Sequence, residues 1–260
     1  MYKNPASAGF FFAFLQTHCR FHCLIKMGNI LIIGASGGIG LATALQLQNE
    51  GHNVYGTYFK NEQVVSEYPL INWLPLDLSN LDSLHWIEKL PEQLDGLFYA
   101  VGKVTLKPFN RISLQDFLED YKLQTLGAIH VVQQVLSHLK KSNQASVVFC
   151  SSVASQIGFP FHALIGSSKG AIEGVTKSLA AEYAPTIRFN AIAPSITATK
   201  LTAQFINSPE KRAIQDSKHP MKRIGETEDV AQLASFLLSN KSAWMTGQII
   251  PMDGGISAIK

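Results

Sequence analysis

Asn29-Ile-Leu-Ile-Ile-Gly34-Ala-Ser36-Gly37-Gly38-Ile39-Gly40-Leu-Ala-Thr43 decides how the rest of the chain is read. An apolar run stops at a glycine-rich turn, and Leu41, Ala44, Leu45 and Leu47 continue at helical spacing. Strand, turn and helix in that order are the context in which a glycine fingerprint points to a bound dinucleotide. Gly34 permits a tight turn, Gly38 lets the backbone approach a pyrophosphate, and Gly40 allows close packing of helix on strand. Ser36, Gly37 and Ile39 complete the loop. The helix start then offers free N–H groups and the positive end of its dipole to the phosphates.

Outward from this unit, strand and helix patterns alternate to the end of the chain. Alternation of this kind predicts an α/β protein: a three-layer Rossmann fold, doubly wound, with a mostly parallel sheet of about seven strands. Strands are expected near 29–33, 53–58, 71–75, 95–100, 145–150, 187–192 and 248–252. Helices are expected near 38–50, 62–67, 80–90, 114–140, 160–183, 199–206, 209–217 and 227–239. Ser79 and Thr227 are the expected N-caps of two of them. Trp73, Trp86 and Trp244 lie on apolar patterns and read as packing residues. The Pro/Ser/Thr-rich piece 194–199 and the polar helices after it read as a lid over a substrate site.

The chain has 260 residues, 46% hydrophobic and 16% charged, enough for one domain with a sizeable core. Residues 1–26 differ from the rest. They carry Gly9-Phe-Phe-Phe-Ala-Phe-Leu15, and their three basic residues (Lys3, Arg20, Lys26), unmatched by any acid, account for the whole net charge of +3. The expectation is a leader, disordered or untranslated, before a single domain over 27–260 that starts at Met27. A neutral body gives no electrostatic case for nucleic acid or a membrane surface, and no apolar run is long enough to span a bilayer. The expected location is the cytoplasm. His18, Cys19, His22 and Cys23 lack a second ligand pair nearby, so no metal is expected.

Seven segments in order carry a resemblance to the short-chain dehydrogenase/reductase family, over residues 28–257. The spacing Gly34-x-x-x-Gly38-x-Gly40 has that family's form. Leu76-Asp77-Leu78 resembles its adenine-contacting segment. Ala100-Val101-Gly102 resembles the end of its Asn-Asn-Ala-Gly motif, with Tyr99 and Val101 departing. Cys150-Ser-Ser152-Val-Ala-Ser155 resembles its catalytic-serine segment. Arg188 through Pro194, Ile196 and Thr199 resembles the stretch that holds the nicotinamide carboxamide. Pro220-Met-Lys-Arg223-Ile-Gly225 and Thr246-Gly-Gln248…Asp253-Gly-Gly255 resemble its C-terminal signatures. The resemblance implies a nicotinamide cofactor and a homotetramer or homodimer. Ala171, Ile172, Val175 and Leu179 suit a helix interface as well as a core. Family members that use NAD commonly carry an acid at the end of the second strand. Here Tyr58 stands in that place and Lys60 follows, which favours NADP, with NAD possible; Gly37 stands where many NADP users carry arginine.

Catalysis in the family uses Asn, Ser, Tyr and Lys. Ser152 is in the serine position, and Lys169 follows seventeen residues later, as expected. Gln124 replaces the asparagine, and Ile165 stands where the tyrosine belongs, one turn before Lys169. Isoleucine has no titratable proton, so the usual acid is missing. Three readings follow. His162 lies seven before Lys169 and serves as the donor, its imidazole kept neutral by the helix dipole. Alternatively, hydride adds to an activated alkene, Ser152 steadies the enolate, and water supplies the proton. In the third, the chain binds the dinucleotide without turning over. Phe159, Phe161, Leu201 and Phe205 point to an apolar or acyl small-molecule substrate. Gly166, Ser167, Ser168 and Gly170 around Lys169 suit close approach to a ligand.

Overall fold

Ile30, Leu31, Ile32 and Ile33 are all buried, which alternation toward one face cannot achieve. Their strand is central in a sheet covered on both sides. The computed structural model describes residues 27–79 and 85–259. It contains seven strands: β1 Asn29–Ile33, β2 Asn53–Tyr58, β3 Asn72–Pro75, β4 Gly96–Tyr99, β5 Ala145–Cys150, β6 Ile187–Pro194 and β7 Ile249–Met252. They form one sheet in the order β3-β2-β1-β4-β5-β6-β7, and every neighbouring pair is parallel.

The helices are α1 Gly38–Asn49, α2 Gln63–Glu67, α3 Leu114–Tyr121, α4 Gly127–Leu139, α5 Ala163–Tyr183, α6 Pro209–Lys218 and α7 Thr227–Leu238. On one face of the sheet, Leu31, Leu97, Val147 and Phe149 pack with Val131 and Val135 of α4 and Ile172 and Ala180 of α5. On the other, Ile30, Ile32, Phe98 and Val148 pack with Ala44 and Leu47 of α1 and Val230 and Leu237 of α7. Each large side chain so buried contributes about 1.5–3 kcal/mol. The chain winds outward from β1 to β3 and then crosses to β4. This opens a crevice at the carboxyl ends of β1 and β4, where such sheets bind ligands.

Several sequence expectations need correction. The helix expected over 114–140 is broken by a π turn, Lys122–Leu126, because the buried Tyr99 hydroxyl takes the Leu123 carbonyl at 2.7 Å. The helix expected from 160 starts at Ala163, since Phe161 adopts φ +69°, outside the helical region. Only Ala203–Phe205 of the 199–206 segment is helical, as a 3₁₀ turn. Of the described part of 80–90, only Ile87–Lys89 forms a 3₁₀ turn; residues 80–84, the turn that Ser79 would cap, lie outside the described residues. Glu226, not Thr227, is the N-cap of α7; its N–H donates to Asp229 at 2.8 Å. Trp86 is in the core, but Trp244 is fully exposed, so no packing role holds for it. Ile172 and Leu179 belong to the core. The leader and its His/Cys pairs lie outside the described residues. Among the described residues no helix is long and apolar enough to cross a membrane, and no cluster of side chains suits a metal.

Candidate active site

The glycine turn sits at the crevice. Gly34 takes φ +84°, and its N–H donates to Thr57 Oγ1 at 2.9 Å, which ties the end of β1 to β2. A Cβ at Gly40 would lie 2.2 Å from the Gly34 carbonyl oxygen, so only glycine lets α1 approach β1 this closely. No side chain caps the start of α1, which leaves its first N–H groups free, and a Cβ at Gly37 would meet nothing within 4 Å. Free donors at a helix start beside open space fit a pyrophosphate. The cleft in front of them, about 400 Å³, is bordered by Ser36, Gly38, Ile39, Ala100, Val101, Gly102, Pro194 and Thr199. A larger cavity, about 700 Å³, lies at the opposite end of the strands beside Gly28, Glu50 and Asp95. That end carries none of the glycine-turn donors, and size alone does not make it the site.

Lys169 enters the cleft from α5, 3% exposed. Its ammonium donates to the Cys150 carbonyl at 2.7 Å and the Val101 carbonyl at 3.3 Å, bridging the ends of β5 and β4. Burial pushes its pKa below the ordinary lysine range; Cys150 and Asp120 oppose the shift. Gln124 projects from the π turn, fully buried. Its Oε1 accepts from the Lys103 N–H at 3.3 Å, and its amide donates to Asp120 at 2.7 Å. Ser168 donates to the same Asp120 oxygen at 2.6 Å, and the other oxygen has no partner among the described residues. Sequence reading missed Asp120, although it precedes Gln124 by one helical turn. Gly166 packs against the Ala154 carbonyl and Ser168 serves Asp120, so these small residues fit helix packing rather than contact with a ligand.

Ser152 caps a short turn, its Oγ accepting from the Ala154 N–H at 3.2 Å. It and Ile165 border both the cleft and a second cavity of about 460 Å³. That cavity is walled by Val104, Leu106, Phe159, Phe161, Phe205 and Ile256. Leu201 borders the cleft instead. His162 lies in the cavity wall with its ring 5.2 Å from Phe159. Its Nδ1 sits 2.7 Å from the Pro160 carbonyl. A carbonyl only accepts, so Nδ1 carries the proton and Nε2 of the neutral ring is an acceptor. The neutral donor expected at His162 is therefore not available toward the cavity; only the imidazolium donates from Nε2. The cavity also holds Ser195 and His219, which no motif singled out.

Other expected residues lie apart. Ile196 borders the apolar cavity rather than the cofactor cleft. Tyr58 ends β2 edge-on to Trp73, and Lys60 is exposed with its ammonium 5.0 Å from the Phe59 ring. Neither borders the cleft, but Asn61 beside them donates to the Ser36 carbonyl at 2.9 Å. Asp77 accepts from the Ser79 N–H at 2.8 Å; hydrogen bonds from Ser79 draw its pKa below the usual carboxylate range. Leu78 packs on the core. Tyr99, a phenol near the site, does not replace the missing acid. It is 1% exposed, its hydroxyl is spent on Leu123, and burial pushes its pKa up.

The chain is similar to known proteins over most of its length. The family model described as Enoyl-(Acyl carrier protein) reductase matches residues 34–257. Glucose 1-dehydrogenase of Gluconobacter oxydans is 30% identical over 245 residues, covering 88% of this chain and 91% of the relative. The 3-oxoacyl-(acyl-carrier-protein) reductase of Thermotoga maritima is 31% identical, covering 87% and 96%. Among solved structures, ElxO with NADP bound is 31% identical, with a TM-score of 0.81 over 88% of this chain and 98% of that one. The aldohexose dehydrogenase of Thermoplasma acidophilum, 24% identical with a TM-score of 0.82 over 91% and 96%, shares the fold. With the glycine turn, the buried lysine and the serine on one crevice, the chain belongs to the short-chain dehydrogenase/reductase family of NAD(P)-dependent oxidoreductases.

Proposed function

We propose that the protein is an NADP-dependent oxidoreductase that moves hydride between the nicotinamide and a carbonyl or conjugated alkene of an apolar or acyl substrate. When bound, the nicotinamide supplies or accepts the hydride. The observation that carries the reading is the seam: Ser152, Ile165 and Ser195 border the cofactor cleft and the apolar cavity at once. Lys169 holds the nicotinamide ribose, with its ammonium fixed between two carbonyls. Ser152 accepts one hydrogen bond from the backbone and donates to no described group, so its own proton is free to orient an acceptor oxygen. Gln124 takes the asparagine's place against the Lys103 N–H. Ile196 shapes the substrate side.

NADP is favoured because Tyr58 rather than a carboxylate ends β2, with the exposed Lys60 two residues on. Asp77 and Leu78 follow β3 toward the adenine side. The described chain from 27 forms one domain. A homodimer or homotetramer is supported by the exposed stripe Leu114, Leu118 and Tyr121 on α3. The working location is the cytoplasm.

The test combines calorimetry with turnover. The protein binds NADPH more tightly than NADH and oxidises NADPH with crotonyl or acetoacetyl thioesters faster than with small polar ketones. Failure to bind either coenzyme sinks the reading. Binding without turnover across that panel assigns the chain to cofactor binding alone, the role Ile165 would favour.

A further inference from the structure

Two polar side chains meet on the substrate cavity. Ser195 directly follows β6, and His219 follows α6. Ser195 Oγ lies 2.9 Å from His219 Nε2, and His219 Nδ1 lies 2.9 Å from the Gln215 carbonyl. The carbonyl only accepts, so Nδ1 carries a proton and Nε2 of the neutral ring accepts from the Ser195 hydroxyl. The ring is 2% exposed and held at both nitrogens. Ser195 borders the cofactor cleft as well as the cavity. A purely structural histidine needs no hydroxyl at that seam.

We infer that Ser195 and His219 form a proton relay that performs the task left open by Ile165; this rests on the oxidoreductase reading above. In the oxidative direction the C–H hydride leaves for the oxidised nicotinamide. Ser195 Oγ takes the substrate hydroxyl proton and passes its own to Nε2. A carbonyl product and an imidazolium remain, and the ring returns its proton to water. Reduction starts from the imidazolium, protonated by water: hydride adds at the carbonyl carbon, and the C=O π pair moves to the substrate oxygen. That oxygen takes the Ser195 proton, Ser195 takes the Nε2 proton, and His219 ends neutral. One hydride and one proton move in either direction. A nucleophilic role fits less well, because the Ser195 N–H is committed to the Met252 carbonyl at 3.2 Å and brings no oxyanion donor.

The test uses the full chain with Ser195→Ala, Ser195→Thr and His219→Gln. Ser195→Ala and His219→Gln are each expected to lower kcat with acetoacetyl thioester about 100-fold, the scale of lost proton transfer. KM and NADPH affinity by calorimetry are expected to hold. Ser195→Thr keeps a hydroxyl and recovers most of the rate. Without coenzyme, the ¹⁵N resonance of His219 Nε2 shifts in Ser195→Ala and stays near wild type in Ser195→Thr. If His219→Gln fails to fold, the two serine variants decide. Unchanged kcat in Ser195→Ala with an active wild type overturns the relay and leaves the oxidoreductase reading standing. A wild type that binds NADPH but turns over no substrate in the panel overturns both.

Discussion

At the carboxyl ends of β1 and α1's start, the groups that face a ligand are main chain: the turn at Gly34–Gly40, with carbonyls of Val101 and Cys150 fixing Lys169. Across the seam at Ser152 the surroundings change. The cavity there is walled by side chains from widely separated stretches, with His162 and His219 each held by a local contact. A main-chain site depends on whether helix and strand can approach, and so on the absence of side chains. A side-chain site depends on which residues distant segments deliver. On the proposed reading, binding of coenzyme therefore survives changes that redirect or abolish the chemistry, and Ile165 beside Lys169 is the position at which to test it.

The sharpest way to break this contrast is Gly40→Val. Its Cβ would lie 2.2 Å from the Gly34 carbonyl oxygen, so α1 must lift off β1. Overpacking of this kind costs about 1–3 kcal/mol or more. The displaced N–H groups lower NADPH affinity about 100-fold or beyond, at about 1.4 kcal/mol per factor of ten. Calorimetry and a melting curve check both. Wild-type affinity in this variant would show that the main-chain turn is not what holds the coenzyme.

The same contrast explains what could be read from the chain alone. Gly34, Gly38 and Gly40 are legible because the spacing itself encodes a backbone geometry. The β1 run is legible because a strand covered on both faces must be apolar throughout. Ser152 and Lys169 are placed by local motifs. The Ser195–His219 pairing is not, since its hydrogen bond joins two segments that no periodicity links. The break at Lys122–Leu126 was equally hidden. It needs the Tyr99 hydroxyl, from a strand more than twenty residues away, against the Leu123 carbonyl. The tautomer of His162 is not legible either, because the Pro160 carbonyl that sets it is a matter of turn geometry.

Lys169→Met sharpens the contrast by separating affinity from stability. Losing a charged hydrogen-bond donor lowers NADPH affinity about 10- to 100-fold, from about 1.5–3 kcal/mol. Stability is expected to rise or hold, since an apolar chain of similar length replaces a buried cation. The sign with pH follows from the lowered pKa of Lys169. The folded state binds its proton less readily than the unfolded state, so wild-type stability increases as pH rises through the folded pKa toward about 10.4. The melting advantage of Lys169→Met is therefore largest near neutrality and shrinks as the medium becomes alkaline. An advantage that grows with pH would contradict the burial of a charged ammonium.

Phe161→Gly carries the smallest effect and probes the side-chain half alone. Phe161 stands in the cavity wall at φ +69°, a left-handed conformation that costs an L-residue about 1–2 kcal/mol, and its carbonyl accepts from the Lys107 N–H at 3.3 Å. Glycine adopts this conformation freely but adds about 0.5–1 kcal/mol of chain entropy to be lost on folding, so the melting temperature stays level or rises slightly. Phe161 as a residue is 57% exposed, so little packing is lost with its side chain. KM for a long acyl thioester is expected to rise several-fold while NADPH affinity holds, because the aromatic face belongs to the cavity and not to the cleft. A parallel loss of coenzyme affinity would mean that cavity and cleft close as one unit, and the division between a main-chain half and a side-chain half would have to be redrawn at Phe161.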